Sequence, residues 1–458
     1  MKFRQVLIWG LILVGLSVFI YYYELVGGKQ RQEAEKTAKK VFKLASGDVR
    51  RMVLSYEGKT VRLEKDKSGK WQLTQPVQAK ADDDSANELL QAITGAETDR
   101  NIASAGKLAD FGLGPAQMVA ALTAKDNKSQ QLLLGGENPT GSFLYAKLQS
   151  NPEVFLVPVS LKYTLKKDVF DLRDKQLIRL ATGKVNRLKL RYPNQEIALI
   201  KDNLGNWHIA QPQHLLADKD VIEGLISSLN DLQVKKFITE SANDLTPYGL
   251  DKPEIQIAVN SEDKTEKNLS LSGLAVMPDG GGNSEGIYAK RGDLPQVVWL
   301  DADALSKFTK QVFDLRERRI LAFDTPEANK LQLIHKGQAI SLERRQAGWH
   351  MLKPQDSPAK EFLVEGMLFE LAQLKAESFL DQEVAKGAAE YGLGQPQLKL
   401  DLELEDKTKL SLAVGKPVNA KQVYVQRQDG KAFIVSSDII QQLAKEPEDI
   451  IRPKSEKK

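Results

Sequence analysis

The chain has 458 residues, with 65 basic and 61 acidic side chains, four histidines, no cysteine and a net charge of +4. That length exceeds a single hydrophobic core and suits about three domains. The near-balanced charge, with no basic arm, argues against nucleic acid as a partner. The lack of cysteine excludes thiol catalysis, thiolate metal sites, disulfides and a lipidated N-terminal cysteine, and is compatible with an oxidising compartment.

Lys2 and Arg4 precede an uncharged run over residues 6–23. A helix there, at about 1.5 Å per residue, reaches roughly 27 Å, close to a thin or average hydrocarbon core. Trp9 and the tyrosines Tyr21, Tyr22 and Tyr23 lie near its ends, where aromatic rings favour the interface. A cleaved signal peptide is the rival reading, but no small-x-small site follows and the tyrosines occupy the place of cleavage. The run therefore predicts a single-pass anchor in the inner (cytoplasmic) membrane. Residues 1–5 would be cytoplasmic and everything after Glu24 periplasmic or extracytoplasmic, although the basic residues from Lys29 to Lys40 weigh against that orientation.

Residues 24–47 read as a stalk, with residues 30–43 rich in helix formers. A first domain follows over residues 48–180. Alternating segments at 49–56 and 60–65, a Ser68-Gly69 turn and the strand at Trp71 predict a small antiparallel meander. A helix after Asp82 comes next, then short strands near 118–123, 130–134, 143–147 and 154–157, and a close at Phe170-Asp-Leu-Arg173. The same order returns over 184–323, closing at Phe313-Asp-Leu-Arg316, and over 328–452, closing less faithfully at Glu448-Asp-Ile-Ile-Arg452. The basic tail, residues 453–458, reads as disordered.

The chain spells one stretch three times: Trp71-Gln-Leu-Thr-Gln-Pro76, Trp207-His-Ile-Ala-Gln-Pro212 and Trp349-His-Met-Leu-Lys-Pro354. Eleven residues after the first two tryptophans stand Asp82 and Asp218, with Lys360 in the third copy. Each opens an apolar stripe of helical period: Ala86, Leu89, Leu90 and Ile93; Ile222, Leu225, Ile226 and Leu229; Val364, Met367, Leu368 and Leu371. The turns Phe111-Gly-Leu113, Tyr248-Gly-Leu250 and Tyr391-Gly-Leu393 follow, then Gly135, Gly273 and Gly415, then Tyr145, Tyr288 and Tyr424. Agreement at so many offsets marks tandem repeats. The fold class expected is α+β: an N-terminal transmembrane helix followed by three tandem repeats of a small antiparallel-sheet-plus-helix domain, set as a stiff rod.

Two readings compete at each repeated residue. Trp71, Trp207 and Trp349 could be aromatic binding platforms, but each precedes a helix that needs a sheet to lie on, which favours core anchors. Pro76, Pro212 and Pro354 end the strand by removing a ladder donor. Asp82 and Asp218 could be acids in a cleft, but their place before a helical stripe favours N-caps, and Lys360 excludes an acid shared by all copies. His208, His214, His335 and His350 show no metal-ligand spacing, so no metal or cofactor is expected. The insertion with Gly280, Gly281 and Gly282 lacks the Lys-Ser/Thr and helix of a phosphate loop, and reads as a flexible tip suited to touching a partner. No nucleophile elbow is present. No catalytic residue can be nominated, and the chain reads as a non-enzyme.

With these residues in view, the chain resembles a bacterial family known only as domain of unknown function 4340. The residues carrying the likeness are those at 69–76, the helix at 82–93, Phe111-Gly-Leu-Gly-Pro115, and Leu172-Arg-Asp-Lys-Gln-Leu-Ile178 with its second form Leu315-Arg-Glu-Arg-Arg-Ile-Leu321. The family brings no catalytic residues. Its members often look like companions of gliding-motility-type ABC transport systems, and the resemblance implies a permease and an ATPase as partners. The expected function is a membrane-anchored extracytoplasmic accessory or scaffold subunit. The alternative is a stand-alone envelope binding or assembly factor for a polymer, lipid or other membrane complex.

Overall fold

The computed structural model describes residues 15–17, 19, 21, 39–102, 106–263, 265–277, 285–380 and 389–452. Strand alternation builds it. In the first strand, β1 (Val49–Tyr56), Val49, Met52, Leu54 and Tyr56 are buried while their neighbours are partly exposed, the period of a sheet packed on one face. With it come β2 (Lys59–Lys65), β3 (Trp71–Gln75), β4 (Ala79–Lys80), the helix α1 (Asp83–Thr94), β5 (Met118–Ala124), β6 (Ser129–Glu137), β7 (Phe143–Leu148) and β8 (Phe155–Pro158). The short helices α2 (Ser160–Leu165) and α3 (Val169–Leu172) close the repeat.

These strands make one eight-stranded sheet in the order β4-β3-β2-β1-β5-β6-β7-β8. The central strand β1 joins its two halves, pairing Leu54 with Val61 on β2 and with Ala120 on β5, both antiparallel. Helix α1 buries Ala86, Leu89, Leu90 and Ile93 in the core that also holds Leu54, Leu63, Trp71 and Leu73. Each fully buried leucine or isoleucine among them contributes about 1.5–3 kcal/mol relative to exposure.

The second repeat carries β9 (Val185–Tyr192), β10 (Gln195–Lys201), β11 (Trp207–Gln211), β12 (Leu215–Leu216), α4 (Lys219–Asn230), β13 (Lys236–Thr239), β14 (Ile255–Ser261), β15 (Glu266–Val276), β16 (Glu285–Arg291), β17 (Val297–Asp301), α5 (Asp303–Phe308) and α6 (Val312–Leu315). The third carries β18 (Ala328–His335), β19 (Gln338–Arg345), β20 (Gly348–Lys353), β21 (Ser357–Pro358), α7 (Glu361–Gln373), β22 (Ser378–Phe379), β23 (Leu398–Leu404), β24 (Lys409–Asn419), β25 (Gln422–Arg427), β26 (Ala432–Ser436), α8 (Asp438–Leu443) and α9 (Pro447–Ile450). Their sheets are nine-stranded, β12-β11-β10-β9-β14-β15-β16-β17-β13 and β21-β20-β19-β18-β23-β24-β25-β26-β22. The ninth strand in each is the added edge β13 or β22.

Two expectations are corrected. The repeat is not a small meander with a helix: it is a large, mainly antiparallel sheet of eight or nine strands. The strands on either side of the helix merge because β1 accepts β5 along its second edge, a non-local pairing that no local period carries. The expected transmembrane helix is also not supported, since among the described residues no helix is long and apolar enough to cross a membrane. Most of the run 6–23 lies outside the described residues, as do residues 24–38 and the tail 453–458. An apolar run reports what side chains would gain in hydrocarbon. It does not by itself establish a spanning helix. The single-pass inner-membrane location, with a cytoplasmic N-terminus and an extracytoplasmic bulk, has no described helix to rest on and is set aside.

Candidate functional site

The repeated stretch enters each sheet as β3, β11 or β20, and its tryptophan turns inward. Trp71 and Trp207 are 1% exposed and Trp349 is 2% exposed. Trp349 shares its core with Met351 on its own strand and with Val364, Leu368 and Leu371, counterparts of the α1 stripe. The strands stop at Gln75, Gln211 and Lys353, whose bonds to Pro76, Pro212 and Pro354 are all cis. Past each turn the chain returns to the tryptophan carbonyl: Ala81, Ala217 and Ala359 donate N–H to Trp71, Trp207 and Trp349 at 3.2, 2.9 and 2.9 Å.

The next residue is the helix cap, and there the closing segment of the repeat comes in. The N–H groups of Asp82, Asp218 and Lys360 donate to the carbonyls of Leu172, Leu315 and Ile450 at 2.9, 2.9 and 2.7 Å. The Asp82 carboxylate accepts from the Ser85 N–H at 2.8 Å, and the buried Asp218 accepts from Asp220 and Val221 at 3.1 and 3.2 Å. Burial works to raise the Asp82 pKa. The Ser85 hydrogen bonds, with Lys175 and Arg179 nearby, outweigh it and hold the carboxyl below its ordinary range. Lys360 makes no side-chain cap and donates instead to the Asp449 carbonyl at 2.8 Å.

The aromatic turns recur as structure too. Phe111 packs on Tyr145, Tyr248 on Tyr288 and Tyr391 on Tyr424, with ring centroids 4.8, 5.3 and 4.6 Å apart. The glycine after each turn aromatic (Gly112, Gly249, Gly392) has φ of 66°, 61° and 69°, a left-handed backbone that glycine adopts without steric cost.

The histidines serve as local partners. His208 bonds Asp202 at 3.0 Å and stacks on His214 at 5.1 Å, His350 bonds Asp356, and His335 bonds the Gln397 carbonyl at 3.0 Å. Among the described residues no group of three or more His, Cys, Asp or Glu is placed to hold a metal ion. Gly280, Gly281 and Gly282 lie outside the described residues.

The feature that sequence reasoning missed joins one repeat to the next. Arg173 ends the closing motif of the first repeat, and its side chain is only 4% exposed. Its guanidinium lies 3.5 Å from the ring centroid of Phe237 on β13, forks onto Glu240 at 2.6 and 2.9 Å, and also donates to Gln296. Arg316, at the same place in the second repeat, lies 3.4 Å from the ring centroid of Phe379 on β22. Backbone and side chain repeat the pattern around both. Val234 donates to the Lys175 carbonyl and Ala376 to that of Arg318, while Arg291 reaches the Leu177 carbonyl and Arg427 that of Ile320, each side-chain bond 3.0 Å. The bridge that Arg173 and Arg316 make to Ala81 and Ala217 is made in the third repeat by Ile451, to Ala359. The strand place of Phe237 and Phe379 is taken in the first by Asn101, which bridges Phe155. Arginine and phenylalanine therefore occur where two repeats meet, and are replaced at the outer places. The signal was in the sequence, as a phenylalanine 30 residues after Trp207 and Trp349 where Asn101 follows Trp71.

Arg173 lines two clefts. One of about 820 Å³ is lined by Tyr56, Pro76, Phe170, Phe237 and Glu240, the other of about 350 Å³ by Lys80, Arg179, Lys267, Arg291 and Gln296. The guanidiniums in the second are already engaged, Arg179 on Asp174 and Arg291 on Asp293 and the Leu177 carbonyl. This arrangement fixes a junction. It presents no aligned nucleophile and base.

The family model described as a domain of unknown function (DUF4340) matches residues 71–206, 207–361 and 349–455. The chain belongs to the DUF4340 family. Each DUF4340 match begins on the repeated tryptophan, whereas each sheet begins two strands earlier, at β1, β9 or β18. The first match therefore takes in β9 and β10 of the second sheet, and the family unit is a shifted frame of the structural one. No curated protein matches the chain. Among solved structures, the DNA polymerase III subunit beta from Pseudomonas aeruginosa aligns at 8% identity over 88% of this chain and 95% of that one, with a TM-score of 0.15. A Ca2+-stabilized adhesin of an Antarctic bacterium, described as helping it reach out and bind ice, aligns at 7% identity over 86% and 83%, with a TM-score of 0.08. Scores this low carry no argument about this DUF4340 chain.

Proposed function

We propose that the chain is a non-catalytic accessory or scaffold subunit of an ABC-type transport system, held against a permease and its ATPase. The scaffold part is supported by one observation: the residues that recur among the repeats are engaged in building sheets and joining them. The tryptophans fill cores, the prolines end strands, the aspartates cap helices, and Arg173 and Arg316 hold one repeat to the next. A repeated reaction centre would keep an acid, base or nucleophile in common. Here Lys360 stands where Asp82 and Asp218 cap, and Gln72 where His208 and His350 bond. The transporter part is supported by the family resemblance and requires no spanning helix in this chain.

The test is purification of the tagged full chain in mild detergent, followed by mass spectrometry. Co-purification of a permease with its ATPase is expected. Recovery of the chain alone, or with soluble partners only, would replace this reading with a stand-alone binding or assembly factor.

A further inference from the structure

Among the described residues, helix α7 is covered on one side only. Val364, Met367, Leu368, Leu371 and Ala372 face the third core, while on the far side Phe362 and Phe369 are 76% and 56% exposed. With the exposed Gly366 between them and Gln373 beyond, they form a stripe at helical spacing. Among the described residues nothing lies within 4 Å of where a Cβ on Gly366 would sit, so another backbone can approach there. The equivalent helices are polar at the two aromatic places: α1 has Asp84 and Gln91, α4 has Asp220 and Ser227. The same helix is thus built twice without the aromatic pair, so folding does not require it. Two exposed phenylalanines on one helix face mark an interaction surface.

We propose that the Phe362–Gly366–Phe369 stripe docks an amphipathic helix of a partner protein whose apolar edge is bordered by lysine or arginine. The border of the stripe is acidic. Glu361 and Glu365 run along one side and Glu370 along the other, by the helical period. Glu365 is held by Arg344 at 2.6 Å and by the Trp349 indole N–H at 2.7 Å, which leaves Glu361 and Glu370 to meet an incoming cation. The same charges disfavour the other occupants. A second copy packed antiparallel about Gly366 would set each acidic border of the stripe against the same acidic border of its copy, and an anionic lipid surface would meet carboxylates. Two helices crossing at a glycine can approach to the short end of the usual 8–10 Å or so between axes, which lets both phenylalanines reach the partner's apolar edge. The proposal stands independently of which complex the chain joins.

The experiment titrates the full chain against a fluorescent synthetic helix with a leucine edge bordered by lysine, and against the same helix bordered by glutamate. A double variant, Phe362→Asp with Phe369→Gln, places on α7 the residues that α1 carries. The lysine-bordered helix should bind the native chain at least about tenfold tighter than the glutamate-bordered one, and the double variant should lose about tenfold or more. The variant adds negative charge, so such a loss cannot come from weaker attraction to lysine. The variant's melting temperature should stay that of the native chain, because both side chains face outward. Equal binding of the two helices, or binding undiminished in the variant, would overturn the proposal. So would a dimer that the double variant dissociates, which assigns the face to a second copy, or Phe-dependent sedimentation with phosphatidylglycerol vesicles, which assigns it to lipid.

Discussion

Arg173 and Phe237 belong to successive repeats, and the guanidinium of one lies 3.5 Å from the ring centroid of the other. Arg316 repeats the contact with Phe379 at 3.4 Å. A cation over a ring is worth about 0.5–2 kcal/mol, more as water is excluded, and Arg173 is nearly fully buried. Its Glu240 partner is half exposed, so the fork adds less than a fully buried pair would.

The first prediction is that Arg173→Ala lowers stability by about 2–4 kcal/mol, and that Arg173→Lys restores little, because lysine lacks the planar fork that stacks and bonds at once. A double-mutant cycle with Phe237→Leu should return a coupling of about 0.5–2 kcal/mol. Additive single effects in denaturant unfolding would mean that the two residues do not act as a clamp.

The second prediction concerns the indole N–H groups, which the three repeats treat differently. Trp71 donates to Asn87 at 2.9 Å and Trp349 to Glu365 at 2.7 Å, each partner 16 residues on. Among the described residues the buried Trp207 N–H has no hydrogen-bond partner, and Glu223 at the same offset lies 3.9 Å from Lys219 instead. Asn87→Ala should therefore cost about 1–3 kcal/mol by orphaning a buried donor. Glu365→Ala should cost at least as much, since it also strips Arg344, while Glu223→Ala stays within about 0.5 kcal/mol. Trp207→Ala should still cost about 3–5 kcal/mol, through lost packing. A Trp207→Ala protein with an unchanged melting temperature would contradict the core assignment.

Much of this was legible in the sequence because it is local. The alternation around Val49 to Tyr56, the helical stripe from Ala86 to Ile93 and the tryptophan offsets each fit within one element or one repeat. What escaped was non-local. The Leu54–Ala120 pairing that merges the first repeat into one sheet leaves no local period. The Arg173–Phe237 clamp spans two repeats, so a frame cut at the closing motif separates its halves. The anchor expectation failed differently, since an apolar run with basic and aromatic flanks carried it and among the described residues no spanning helix follows.

Capping gives the third prediction. Asp218→Ala should cost about 1–2 kcal/mol, because its buried carboxylate serves two helix N–H groups, and Asp82→Ala about 1 kcal/mol. Lys360→Ala removes no side-chain cap and should change stability by less than about 0.5 kcal/mol. An equal cost at all three positions would show that the carboxylates are not acting as caps.

The last prediction is a titration. Asp202 closes the turn before Trp207, accepting from the His208 ring at 3.0 Å and from the N–H groups of Leu204 and Asn206 at 2.9 and 2.8 Å. The His208 hydrogen bond, followed by that from Asn206, brings its pKa from the ordinary 3.8 down to about 2. The folded state thus binds the proton less readily than the unfolded one. The stabilisation is whole above pH 3.8 and disappears as pH falls through about 2. NMR titration of the Asp202 carboxyl should give a midpoint near 2, moved up toward 3.8 in a His208→Ala chain. In the first repeat Gln72 bonds Asp66 at 3.1 Å from the place of His208, so His208→Gln should keep part of the depression that His208→Ala loses. A midpoint of 3.8 with His208 intact would remove the histidine from the turn's chemistry.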